Sequence, residues 1–226
     1  MQSPSPLIVS IQVGLPQTRG TDGAADAMDR PWTSGFVKEP VQGRVHVGRT
    51  GVVGDGQADL RNHGGVDKAV LAYSADHYPW WRGTLAMLEL PPGAFGENLT
   101  IAGLDENGVC IGDVWRVGEV RFEVSQPRQP CWKLARRWRL PDLPQLVLAS
   151  GRGGWYLRAL DEGTIEAGLT LELLERPWSR WTVAEAGSVM MHRKDDVAAS
   201  SELAAVTALP QQWRAALAGR GRAAGA

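Results

Sequence analysis

The stretch Val114-Trp-Arg-Val-Gly-Glu-Val-Arg-Phe-Glu-Val124 places apolar side chains at alternate positions on both sides of a Gly118-Glu119 pair. Such alternation is typical of a strand with one buried face, and two alternating runs joined by two turn residues predict a β-hairpin. Short runs of this kind, with glycines between them, recur through the first three quarters of the chain. They favour a closed or strongly curved sheet.

Two further strands are predicted outward from the hairpin by the same periodicity. Near the start of the chain, Val9, Ile11 and Val13 alternate with polar residues and are expected to face the core. Late in the chain, leucines at every second position predict a strand over 169–173.

Helices are predicted at two places within this β-rich region. The first covers 76–88, where Pro79 fits only within the first helical turn. The second covers 142–149, and Gly151 is placed to end it.

The pattern becomes helical after residue 177. Thr182 stands three residues before a glutamate, the spacing of a capping box, and therefore begins a helix. Ser200 or Ser201 is expected to cap a second helix, and Pro210 to start a third that ends near Gly219. The predicted organisation is a mainly β (α+β) body with a few peripheral helices over 1–176, followed by a small three-helix module and tail over 177–226.

Composition and charge exclude several classes of protein. The 226 residues include 24 Lys and Arg against 25 Asp and Glu, a net charge of −1, which is unlike proteins that bind nucleic acids or anionic membranes. Two cysteines cannot build a disulfide scaffold or a four-thiolate zinc site. No apolar run reaches the roughly 18 residues that span a bilayer, and the start lacks the basic segment of a secretory signal. We therefore expect a cytoplasmic protein that binds neither nucleic acid nor membrane.

The segment Ser125-Gln-Pro-Arg-Gln-Pro-Cys-Trp-Lys133 follows the hairpin directly and carries Cys131. Arg128 and Lys133 lie close to this thiol in sequence, and neighbouring cations lower the pKa of a thiol. The thiolate is the form that acts as a nucleophile or binds a metal. Cys110 lies between valine and isoleucine, where a small buried side chain is the expected role. A structural, buried Cys131 remains the alternative at this point.

A glycine-rich polar stretch upstream carries Arg61, His63 and Lys68. The adjacent Gly64 and Gly65 allow backbone N–H groups to close around an anion. The stretch lacks the Gly-Lys-Ser/Thr ending of a P-loop, and no βαβ unit surrounds it as in dinucleotide-binding folds. An anion-binding loop and a tight turn with solvated charges stay open as alternatives.

A shorter polar stretch, Gly93-Ala-Phe-Gly-Glu-Asn-Leu-Thr100, places Glu97 and Asn98 just before an apolar strand start. Glu-Asn pairs also occupy ordinary turns, so this signal taken alone is weak.

Taken in order, these stretches resemble the MOSC domain of YiiM-like proteins. The matching segments are Thr33-Ser34-Gly35-Phe36 with Lys38 and Pro40, Gly54-Asp55, Asp59-Leu60-Arg61, His63-Gly64-Gly65, Asp67-Lys68-Ala69-Val70, Gly96-Glu97-Asn98-Leu99, Ser125-Gln126-Pro127-Arg128 and Pro130-Cys131. The part from Trp178 onward is similar to the three-helix module of such proteins. The insert over 17–30 matches no motif that we can place.

The resemblance implies a β-barrel-like body that binds the molybdenum cofactor (molybdopterin) through one cysteine thiolate. By position this catalytic, metal-ligating residue is Cys131. YiiM-like members are implicated in reducing N-hydroxylated compounds such as hydroxylaminopurines, which is a detoxification role. The implied cofactor-binding residues are Ser34, Lys38, Arg61, His63, Gly64, Gly65, Lys68, Glu97, Asn98, Ser125, Gln126 and Arg128.

A reductase of this kind implies two partners, a small N-hydroxylated substrate and an external electron-donor reductase, because the chain shows no haem, flavin or iron–sulfur motif. Trp80, Trp81, Trp132 and Trp155 are candidates to stack on a flat base, with burial in the core as the alternative. The oligomeric state is left open, a homodimer included. Two other functions also stay open: a sulfur carrier with a persulfide on Cys131, and a module that stores or delivers the cofactor.

Overall fold

Short strands joined by loops dominate the chain in a computed structural model that describes residues 5–224. The strands are β1 Leu7–Val13, β2 Gln17–Arg19, β3 Trp32–Ser34, β4 Glu39–Pro40, β5 Val45–Gly48, β6 Gly51–Val52, β7 Val70–Ser74, β8 Leu99–Ala102, β9 Val114–Val117, β10 Val120–Pro127, β11 Trp155–Ala159, β12 Gly163–Ile165 and β13 Glu172–Glu175. The α-helices are α1 Tyr78–Leu85, α2 Lys133–Trp138, α3 Leu143–Ser150, α4 Val183–Met191, α5 Val197–Ala204 and α6 Gln211–Ala224. No helix among the described residues is long and apolar enough to cross a membrane.

One large sheet carries the architecture, with strand order β13-β9-β10-β11-β7-β8-β1-β4. Its pairs are antiparallel except for β7 and β8, which run parallel. The sheet curls until the segment just before β13 reaches β1, where Ile8 N donates to Leu169 O at 2.9 Å and Leu171 N donates to Pro6 O at 2.8 Å. A three-stranded sheet, β12-β5-β6, and the β2-β3 hairpin complete the body. The predicted mainly β, α+β architecture with a barrel-like body is confirmed.

The β9–β10 hairpin forms as predicted around Gly118 and Glu119, with Val117 opposite Val120. Its apolar side chains are buried, and Arg121 is exposed. Strand β10 continues to Pro127, so the same strand that builds the sheet delivers the chain to Cys131.

The predicted inward face of β1 is wrong at two positions. Val9 is 45% exposed, whereas the polar Gln12 is fully buried. The pairing with β8 shifts register between Ile8 and Ser10. Because a bulge adds one unpaired residue, the side chains beyond it change faces, and the simple alternation fails.

The boundaries of other predicted elements move by a few residues. Strand β13 begins at Glu172, since residues 169–171 bond to β1 instead of β9. Helix α1 has Pro79 in its first turn as expected, but it ends at Leu85, and Ala86 takes the left-handed conformation at φ 51°. Helix α3 ends at Gly151 as predicted, while α2 is a helix that the sequence reasoning missed.

Three helices follow the β body, and one predicted cap is correct. Thr182 accepts a hydrogen bond from Glu185 N at 3.1 Å and begins α4. The predicted serine cap of α5 is wrong because Asp196 caps that helix, accepting from Ala199 N at 3.0 Å, and Ser200 is buried inside it. Helix α6 continues past Gly219 to Ala224, since glycine weakens a helix interior without having to end it.

The three helices share a hydrophobic core with the β body. Backbone hydrogen bonds cross between the two parts: Ile111 N donates to Trp181 O, and Val183 N donates to Val109 O, each at 2.8 Å. The division into 1–176 and 177–226 stays a prediction, and residues 1–4 and 225–226 lie outside the described part of the chain.

A buried ion pair fixes the end of β13 against the turn before β9. Asp113 is fully buried, and Arg176 donates to both of its carboxylate oxygens at 2.8 and 2.6 Å. The Asp113 carboxylate also accepts from Cys110 N at 2.9 Å. A buried carboxylate depends on such partners because it has lost the stabilisation that water provides.

Replacing Arg176 by Met should lower the free energy of unfolding by about 3 kcal/mol, because the Asp113 carboxylate then stays buried without its cation. The control is Arg116→Met, since Arg116 pairs with Glu172 on the surface, where both side chains are more than half exposed. That variant should lose less than about 1 kcal/mol. Urea denaturation measures both values, and equal losses would contradict the assignment.

Candidate functional site

The loop that carries Cys131 runs from the end of β10 to the start of α2. Its thiol is free and partly exposed. Cys110 differs: it is buried in the core, where its Sγ lies 3.5 Å from Ser179 O, and burial raises the pKa of its thiol. The two cysteines are therefore separated as the sequence suggested, one facing a cleft and one in the core.

Cys131 faces a cleft, here called the Cys131 cleft. His63 and Lys68 reach the same cleft from the glycine-rich stretch, so two motifs separated in sequence converge on it. Of the residues singled out in the sequence, those on its wall are Ser34, Lys38, His63, Gly64, Lys68, Asn98, Arg128 and Cys131. Sequence reasoning missed Gln57, Gln129 and Tyr156, which also line it. Lys133, named above only as a neighbour of the thiol, and Asp55, named only within a motif, line it as well.

Two loops meet closely at one wall of the cleft. A Cβ on Gly35 would lie 2.0 Å from Gly56 O, which no side chain tolerates. This close approach explains why glycine is needed after Ser34, whose Oγ accepts from Phe36 N at 3.0 Å.

Lys38 and Asp55 form a buried ion pair on this wall. Asp55 also accepts hydrogen bonds from Gly14 N at 2.9 Å and from Gln57 Nε2 at 3.2 Å. Burial lowers the pKa of Lys38, and the neighbouring Asp55 carboxylate opposes that shift. The Gly54-Asp55 motif was the available signal for Asp55.

Lys68 also lines the cleft. Its Nζ donates to Asn62 O at 2.8 Å and lies 5.9 Å from the centre of the Tyr156 ring. Burial lowers the pKa of Lys68 and raises the pKa of the Tyr156 hydroxyl. Gly64, at φ 75°, supplies the left-handed turn that brings His63 and Lys68 together.

His63 is a partly buried imidazole with an unpaired nitrogen. Its Nδ1 makes no hydrogen bond to any described residue, and the nearest carboxylate oxygen, Asp59 Oδ2, lies 3.7 Å away. Burial lowers the pKa of His63 to about 4, and the positive charge of Lys133 contributes. His63 is therefore neutral at pH 7, with a polar atom available to a ligand.

Arg128 belongs to the Cys131 loop and is only 3% exposed. Its guanidinium donates to Phe95 O at 3.0 Å and to Gly153 O at 3.5 Å. Because both contacts are to backbone carbonyls, the positive charge of Arg128 is not neutralised by them.

Two of the predicted cofactor-binding residues do not reach the cleft. Glu97 is fully buried and accepts from Gly93 N at 2.6 Å, Phe95 N at 3.1 Å and Thr100 Oγ1 at 3.0 Å. Ser125 donates to Asp67 O at 2.6 Å and to Tyr156 O at 3.1 Å. Both side chains order backbone segments and are not among the residues that line the cleft, and their predicted role in cofactor binding stays a prediction.

Three other predicted residues lie elsewhere. Arg61 and Gln126 line a neighbouring cavity on the side of the helices. Gly65 precedes the short 3-10 turn Val66–Lys68 and lines neither space. Asn98 does line the cleft, but it also accepts from Leu71 N at 3.1 Å.

The four tryptophans proposed for stacking line neither the cleft nor that cavity. Trp81 and Trp155 are core residues, Trp80 lies under Arg152 at 4.2 Å, and Trp132 is 52% exposed outside both spaces.

Charge is distributed unevenly around the cleft. Lys38, Lys68, Arg128 and Lys133 line it, whereas Asp55 is the one carboxylate on its described wall. A nearly neutral chain therefore presents a local positive site next to a thiol. Such a site suits an anionic ligand that also carries a soft metal.

The chain matches two family models in succession: the MOSC domain over residues 59–172 and the YiiM-like 3-alpha helix domain over 181–220. It is 42% identical over 208 residues to YflK of Bacillus subtilis, covering 92% of this chain and 91% of that one. A Gibberella moniliformis protein named "Reductase" is 41% identical over 169 residues, 71% of this chain but 29% of its own length.

Superposition on solved structures supports the same family assignment. YiiM from Geobacillus stearothermophilus superposes with a TM-score of 0.79 at 37% identity, covering 96% of this chain and 99% of that one. YiiM from Escherichia coli superposes at 0.72 with 32% identity, over 82% and 89% of the two chains. With this fold, these motifs and these relatives, the chain belongs to the YiiM-like branch of the MOSC-domain proteins.

Proposed function

We propose that this protein binds the molybdenum cofactor in the Cys131 cleft and reduces N-hydroxylated compounds such as hydroxylaminopurines. The observation that carries the proposal is the convergence of one partly exposed thiol with four basic side chains on a single cleft. MOSC domains are associated with this cofactor, and the relative named "Reductase" supports a redox activity.

The residues present fit the cofactor in charge and in ligand type. The cofactor carries a phosphate and a soft metal, so its site needs cations, hydrogen-bond donors and one soft ligand. Lys68 and Lys133 are placed for the anionic part, His63 Nδ1 is a buried polar atom without a partner, and Cys131 Sγ is the soft ligand.

When bound, the cofactor supplies two-electron redox chemistry at the metal. The overall conversion is R–NHOH plus two electrons and two protons to R–NH₂ and water. Cys131 would ligate the metal, while Arg128 holds the Cys131 loop against two neighbouring backbone segments. Burial raises the pKa of Tyr156, so its hydroxyl keeps its proton and is a hydrogen-bond donor at the cleft wall.

The two electrons must come from a donor outside this chain. We include a separate electron-donor reductase in the proposal, because the sequence carries no recognisable haem, flavin or iron–sulfur motif. The sulfur-carrier and cofactor-delivery alternatives use the same thiol and cleft, so the experiment below separates all three.

Cys131→Ser should abolish molybdenum retention when the protein is produced in a host that makes the cofactor, because an alcohol is a poor ligand for a soft metal. The matched control is Cys110→Ser, which changes the other thiol at a position buried away from the cleft. Metal content per chain is measured by mass spectrometry. Reduction of 6-hydroxylaminopurine is followed with a chemical electron donor.

Wild type and Cys110→Ser should retain molybdenum and form the amine, and Cys131→Ser should do neither. Equal molybdenum in the two variants would contradict the ligand assignment. A persulfide on Cys131 without molybdenum or turnover would favour sulfur transfer, and tight cofactor binding without turnover would favour delivery.

Because of His63, the free energy of unfolding of the cofactor-free protein should fall as the pH is lowered from 6.5 toward 4. Its pKa of about 4 in the folded state lies below the ordinary value of 6.5, so between these values the unfolded chain binds a proton that the folded chain does not. The contribution of His63 to stability is therefore present above pH 6.5 and is lost as the pH falls toward 4.

His63→Gln should consequently reduce the difference in free energy of unfolding between pH 7 and pH 5, measured by urea denaturation. His46→Gln, at an exposed position of β5, serves as the control. A difference in His63→Gln as large as in the wild type would refute the assignment.

A further inference from the structure

A second cavity adjoins the Cys131 cleft on the side of the helices, and is here called the helix-side cavity. Cys131, His63, Lys68, Gln129 and Tyr156 line both spaces. Any ligand in the helix-side cavity would therefore lie next to a group bound at the Cys131 thiol.

The three-helix part closes this cavity. Gln212, Trp213 and Ala216 of α6 line it: Ala216 lies three residues after Trp213 and four after Gln212, and residues at these spacings lie on the same side of a helix. Met190 of α4 adds to the wall. The cavity thus exists only because α4 and α6 pack against the β body.

Arg158 connects the segment before α6 with the loop that bears Lys68. Its guanidinium donates to Ala208 O at 2.6 Å, just before α6, and to Asp67 Oδ1 at 2.6 Å, next to Lys68. Because Arg158 is only 18% exposed, this bridge fixes the spacing between α6 and the loop that bears Lys68.

The lining has a definite chemistry. Side-chain amides, among them Gln129 and Gln212, offer donors and acceptors to the edge of a heterocycle. Lys68 and Arg61 supply positive charge, and no described Asp or Glu lines the cavity. The Arg61 guanidinium makes no hydrogen bond or ion pair with any described residue, and Arg61 does not line the Cys131 cleft.

We propose that the helix-side cavity is the substrate-binding chamber, walled by α6, and that it takes an N-hydroxylated heterocycle with an anionic substituent held by Arg61. This rests on the proposed function and names the substrate class of the same site. The lack of a carboxylate in the described lining disfavours cationic N-hydroxylated compounds, because a buried cation needs a partner.

The test measures binding to molybdenum-loaded, oxidised protein without a reductant, so that no turnover occurs. The probes are 6-hydroxylaminopurine and its ribonucleoside 5′-monophosphate, titrated by calorimetry. Ala216→Trp fills the cavity from an exposed position of α6, and Ala215→Trp is the matched control, exposed on the same helix but outside the lining. Molybdenum content and melting temperature verify that the variants are loaded and folded.

Ala216→Trp should weaken binding of both probes at least tenfold, and Ala215→Trp should change it less than twofold. Arg61→Gln should weaken binding of the monophosphate about tenfold and of the free base less than twofold. Unchanged affinity in Ala216→Trp, or no binding by wild type, would contradict the assignment of the helix-side cavity as the substrate-binding chamber. Equal losses for both probes in Arg61→Gln would contradict the proposal that Arg61 holds an anionic substituent. If the probes bind but are not reduced after an electron donor is added, the proposed reductase function is refuted, while the helix-side cavity remains a binding site for these compounds.

Discussion

The buried guanidinium of Arg128 is the contact on which the rest of the site depends. It donates to Phe95 O and Gly153 O, while its own backbone N–H donates to Gly154 O at 3.0 Å. A buried charge that is satisfied only by carbonyls must keep those partners, because its loss of hydration is not otherwise compensated. The loop that presents Cys131 is thereby held against two segments distant in sequence.

The charge states of the side chains in the Cys131 cleft depend on their burial more than on the net charge of the chain. Lys38 and Lys68 both have a lowered pKa because they are partly or fully withdrawn from water, and His63 is held neutral for the same reason. Asp55 balances one of these cations. The remaining positive charge is concentrated on one cleft, which is how a chain of net charge −1 can offer a site for an anion.

Several local patterns were predicted correctly. The β9–β10 hairpin, the Thr182 cap and the end of α3 at Gly151 each depend on contacts within a few residues. The cap of α5 was assigned to the wrong residue even though it is a local contact, because Asp196 accepts from Ala199 N. Another error arose where a distant partner decides. The inward face of β1 was wrong because a bulge in its pairing with β8 changes the side on which later residues lie.

The sequence by itself determined the mainly β body, the helical C-terminal part, the family and the distinction between Cys131 and Cys110, because short-range periodicity and ordered motifs suffice for these. Only the tertiary structure decided which motif residues face the cleft. Glu97 stands in a motif of the family, yet it is buried among backbone donors, whereas Asp55 and Tyr156 line the cleft. A side chain's direction depends on strand register and on long-range hydrogen bonds, and neither can be read from neighbouring residues.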